Sequence, residues 1–70
     1  MTRNEHLLCI LAEECAEVVH RVSKAMRFGL SEVQAGQELS NYSRLFEKYA
    51  QLIVAMEMVI EENHQFKHRS

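Results

Sequence analysis

The 70-residue sequence contains no proline and no tryptophan, and its two glycines are Gly29 and Gly36. Proline breaks helices and glycine weakens them, so nothing interrupts two long segments on either side of the Gly29 to Gly36 stretch. Long apolar runs are missing too. None approaches the roughly 20 residues that span a bilayer, and the N-terminal MTRNEHLL lacks the apolar core of a signal peptide. Neither membrane association nor export is expected, and the chain reads as cytoplasmic. Eight Lys and Arg against ten acidic residues leave a formal charge of −2. That balance provides no basic stripe to track a phosphate backbone, so nucleic acid is not an expected partner. Cysteine is scarce: Cys9 and Cys15, six residues apart, point about 120° away from each other on a helix and cannot bridge within it. Both are expected as reduced thiols.

What is present is helical pattern. Residues 3–27 form one predicted helix, opened by a capping box in which Thr2 is followed three residues later by Glu5. Leu7, Leu8, Leu11, Ala12, Cys15 and Val18 begin a broad apolar face that Val19, Val22, Ala25 and Met26 continue, and this face is expected to be core. Gly29 ends the helix, and the following LSEVQAGQEL has a turn at Gly36 with room for a short helical turn over 31–34. A second helix is predicted from a cap at Ser40 or Asn41 to about Asn63. Its main face carries Tyr42, Leu45, Phe46, Tyr49, Leu52 and Ile53, then Met56, Val59 and Ile60, while Ala50, Val54 and Met58 lie nearly opposite.

The expected fold class is all-α: a two-helix antiparallel hairpin with a long connecting loop, completed into a helical bundle by oligomerisation. The hairpin domain takes 1–63, and 64–70 is a polar tail expected to fray. A chain this short buries a small share of its surface, and 47% of its residues are hydrophobic. A homo-oligomer, dimer or tetramer, therefore completes the core.

The stretch EECAEV places Glu14 and Glu17 one turn apart, at the edge of the first helix's apolar face. Two carboxylates at that spacing suit a divalent cation; the same residues also suit ordinary ion pairs with Arg21 and Lys24. The histidines add no metal site, because His6 and His20 lie about 21 Å apart along one helix and His64 and His68 fall in the tail.

The order LAEECAEVVHRVSKAMRFGL, VQAGQELSN and RLFEKYAQLIVAMEMV, over residues 5–62, resembles the MazG-like all-α nucleoside triphosphate pyrophosphohydrolases, in particular small phage and bacterial members. The Glu-Glu-x-x-Glu motif is intact as Glu13, Glu14 and Glu17. The resemblance implies Mg²⁺-dependent hydrolysis of a nucleoside triphosphate to monophosphate and pyrophosphate. Glu14 and Glu17 would be metal ligands, with Lys24 and Arg27 beside the phosphates. Hard oxygen ligands suit Mg²⁺, and the ion both polarises the phosphoryl group and generates the nucleophile.

The family's second motif, Glu-x-x-Asp, departs here: laid on FEKYAQL, its two ligands fall on Lys48 and Gln51. A lysine ammonium repels Mg²⁺ and a glutamine carbonyl brings no charge. Lys48 is expected either to meet Glu14 where the family holds its metal, or to snorkel into water. Small relatives also continue into a further helix that helps close the pocket. The expectation is a degenerate, catalytically impaired relative that retains the fold and nucleotide binding without a cofactor. The alternatives are an active Mg²⁺ enzyme with its site completed across subunits, and a small helical oligomeric interaction module.

Overall fold

A computed structural model describes residues 1–64; the expectations for 65–70, including His68, lie outside the described residues. The order of elements is α1 (Arg3–Phe28), the connector 29–40, and α2 (Asn41–Glu62), and no strand is formed among the described residues.

Each helix starts where a side chain satisfies its orphan N–H groups. Thr2 Oγ1 accepts from the Glu5 N–H at 3.1 Å while Glu5 Oε1 accepts from the Thr2 N–H at 3.1 Å, a reciprocal capping box. At the other end Gly29 adopts φ +93° and donates its N–H to Ala25 O at 2.8 Å. Ser40 caps α2, its Oγ accepting from the Ser43 N–H at 3.2 Å.

The connector does not form the short helical turn expected over 31–34. It folds back on itself through an isolated bridge between Val33 and Ser40. The folding serves α2, whose first N–H groups have no partner within the helix. Asn41 N–H donates to Glu32 O and Tyr42 N–H to Leu30 O, both at 2.8 Å. The Asn41 side chain is 1% exposed and donates Nδ2 to Gly29 O at 2.9 Å. One buried amide thus ties the end of α1 to the start of α2.

At the open end Asn4 and Asn63 exchange side-chain amide hydrogen bonds at 2.8 and 3.1 Å, and Arg3 pairs with Glu62 at 3.0 Å. These bonds fix the antiparallel register. The helices meet along a narrow seam: Leu7, Leu11, Glu14, Val18, Arg21 and Ala25 of α1 are buried or half-buried, as are Asn41, Leu45, Lys48, Leu52, Ala55 and Val59 of α2. Leu7 at 2% and Ala55 at 4% exposure are its fully buried apolar residues.

The seam is narrower than the apolar faces in the sequence. Leu8, Val19, Val22 and Met26, expected in the core, are exposed, as are Tyr42, Phe46, Tyr49, Ile53, Met56 and Ile60. Two helices touch along one line, so only the residues at the 3–4 spacing facing that line are covered. Ala55, absent from the expected face, falls at the 3–4 spacing of the seam and is buried.

Candidate functional site

Counting inward from the Asn4–Asn63 pair at equal rise, Glu17 comes level with Ala50 and Glu14 with Ile53. By the same count Lys48 is level with Val19 and Gln51 with Ala16, so this turn is level with Glu17 and lies about 3 to 8 Å along the axis from Glu14. Glu14 is half-buried in the seam and its Oε2 is shielded from solvent with no hydrogen-bond partner; Glu17 is exposed on the flank.

Neither sequence-based account of the charges near these carboxylates is what forms. Among the described residues Arg3 pairs with Glu62, and no cation reaches Glu14 or Glu17. Arg21 is half-buried in the seam, its Nε without a partner. Lys24 turns instead towards the Phe28 ring, its Nζ 5.7 Å from the centroid, and the Arg27 guanidinium lies 5.1 Å from the same ring. Lys48 does not meet Glu14. Its ammonium donates to Gln51 Oε1 at 3.4 Å, a contact along one turn of α2.

Among the described residues no group of three His, Cys, Asp or Glu side chains is placed to hold a metal ion. Glu14 and Glu17 supply two carboxylates, and Gln51 offers a neutral carbonyl already engaged by Lys48. Two carboxylates supply only part of the oxygens around Mg²⁺, which would take the rest from water or a bound phosphate.

The cations collect further along. Glu17 and Lys24 share one edge of α1, seven residues or about 10 Å apart. Across from Lys24, Arg44 of α2 is half-buried, its Nη1 donating to Gln37 Oε1 at 2.7 Å and its Nε unpartnered. At this end a hollow of about 360 Å³ is lined by Lys24, Phe28, Glu32, Gln34 and Ala35. The connector wall of this hollow, with Phe28 as its aromatic floor, was not singled out by the sequence reading. The Lys24 to Phe28 spacing of four residues was the available signal; the connector's contribution depends on its fold. A shallow hollow of about 270 Å³ beside Ala50, Gln51 and Val54 is wholly apolar.

No family model, no curated protein and no solved structure matches the chain.

Proposed function

We propose that the protein is a degenerate MazG-like relative that binds a nucleotide through its phosphates and is impaired in Mg²⁺-dependent pyrophosphohydrolysis. The observation that carries this reading is the Lys48–Gln51 hydrogen bond beside Glu14 and Glu17, with no third acidic group at hand. Lys48 puts a positive charge on the turn where the family carries its second pair of carboxylates, without pairing with Glu14. Lys24 and Arg27, gathered on Phe28 and without carboxylate partners, are the phosphate-binding side chains of the proposal, and the hollow behind them takes the rest of the ligand. Two unbridged cysteines suit a cytoplasmic setting.

The test is calorimetry and pyrophosphate release on the full chain with a panel of nucleoside triphosphates, with and without Mg²⁺ or Mn²⁺. Nucleotide binding that does not require the metal, with no turnover, is the expected result. Turnover abolished by Glu17→Ala would instead establish the active enzyme, its site completed across subunits.

A second reading, a helical oligomeric interaction module, draws support from the exposed apolar residues on both helices. It predicts self-association with no nucleotide binding, and in either reading further copies complete the bundle.

A further inference from the structure

The seam leaves one face of the hairpin uncovered. On α1, Leu8, Ala12, Cys15, Val19, Val22 and Met26 recur at alternating spacings of four and three, each one residue after a seam position, and all are exposed. On α2, Tyr42, Phe46, Tyr49, Ile53, Met56 and Ile60 do the same, again one residue after the seam and again exposed. The helices run in opposite directions, so a one-residue displacement turns both stripes to the same side of the hairpin. That side carries two parallel apolar stripes with no charged residue in either.

We infer that this face is covered by a second copy of the chain, related by a two-fold axis parallel to the helices, so that α1 of each protomer lies on α2 of its partner. Each stripe runs over 18 residue steps, about 27 Å at helical rise, and two helices side by side are about 20 Å wide. The face therefore measures on the order of 500 Å² in plan and a dimer buries about 1,000 Å² or more in total, which reaches the range of specific interfaces. An apolar patch of this size is larger than most monomers leave in water.

Size decides the arrangement. The middle of the α1 stripe is small (Ala12, Cys15, Val19, Val22), whereas the α2 residues at the same levels are large (Met56, Ile53, Tyr49, Phe46). With the axis parallel to the helices, small lies on large at these four middle levels, the alternation that fills a core without voids, and Leu8 meets Ile60 and Met26 meets Tyr42 at the ends. With the axis across the helices, α2 would meet α2 and aromatic residues would crowd while α1 left gaps. A membrane surface is the poorer occupant, because the positions that flank the two stripes are neutral or acidic except for Arg27, with Glu13 on α1 and Glu47, Glu57 and Glu61 on α2, where an interfacial helix carries Lys and Arg.

Light scattering on the full chain should give twice the chain mass at micromolar concentration. Val19→Glu and Tyr49→Glu should each weaken association at least tenfold, while Val54→Glu on the opposite side should leave it unchanged. A monomeric parent, or Val19→Glu with unaltered mass, overturns the proposal. Because the Glu variants lose helicity if the hairpin needs its partner, cross-linking gives an independent readout. In a Cys9→Ser, Cys15→Ser background, chains carrying Val22→Cys are mixed with chains carrying Phe46→Cys and treated with a short bis-maleimide. The mixed species should dominate; dominance of the two like-with-like species, or no cross-linked dimer, overturns the pairing of α1 with α2.

Discussion

Lys48 Nζ donates to Gln51 Oε1 at 3.4 Å, joining two residues one turn apart on α2. Neither engages Glu14, whose Oε2 has no partner. On the proposed function these two positions would carry the second pair of metal ligands, so two substitutions test it.

The double variant Lys48→Glu, Gln51→Asp should gain Mg²⁺ or Mn²⁺ binding by isothermal calorimetry, at least tenfold tighter than the parent. The parent should show little or none. A folded double variant that gains nothing would show that the second motif does not lie on this turn.

Asn41→Ala should destabilise the hairpin by about 1–3 kcal/mol, because it removes a buried donor and leaves Gly29 O to find another. Circular dichroism should report this as a lower Tm, with the loss concentrated at the connector in amide exchange. Unchanged protection there would mean that the backbone bonds to Glu32 and Leu30 suffice.

Leu7 is the large apolar residue most completely enclosed by the hairpin itself. Leu7→Ala should cost about 2–5 kcal/mol, the transfer and cavity terms together. Denaturant unfolding at a fixed chain concentration measures it.

The capping box makes a pH-dependent contribution. Glu5 is held below its ordinary value of 4.5, first by the Thr2 backbone N–H and then by the Thr2 hydroxyl. Because the folded-state pKa is depressed, this contribution is present above the unfolded value and is lost as pH falls through the lower folded one. Glu5→Gln should keep the cap and flatten the stability profile below about pH 4.5, whereas Thr2→Ala should cost about 1 kcal/mol near neutral pH. An acid limb of identical slope in Glu5→Gln would assign the dependence to other carboxylates.

How far the fold was legible follows from the range of each interaction. Thr2, Glu5, Gly29 and Ser40 announce the helix ends because capping is local, acting within four residues. The stripes at spacings of three and four are equally plain, so the two helices and their antiparallel pairing were readable. The connector was not: the bridge from Val33 to Ser40, and the carbonyls of Leu30 and Glu32 that cap α2, depend on where the chain returns. For the same reason the sequence named Lys24 but not the hollow it lines with Glu32, Gln34 and Ala35.

By itself, then, the order of residues determined the helices, their caps and an excess of apolar surface over what one hairpin hides. Only the tertiary structure decided which apolar stripe is seam and which is left in water. Both stripes on each helix have nearly the same spacing and differ by one residue, so local pattern favours neither. The choice is made by what sits opposite: Leu7 and Ala55 are enclosed between the helices, Asn41 ties the connector to the end of α1, and Glu14, Arg21 and Lys48 take places in the seam that composition alone would have assigned to the surface.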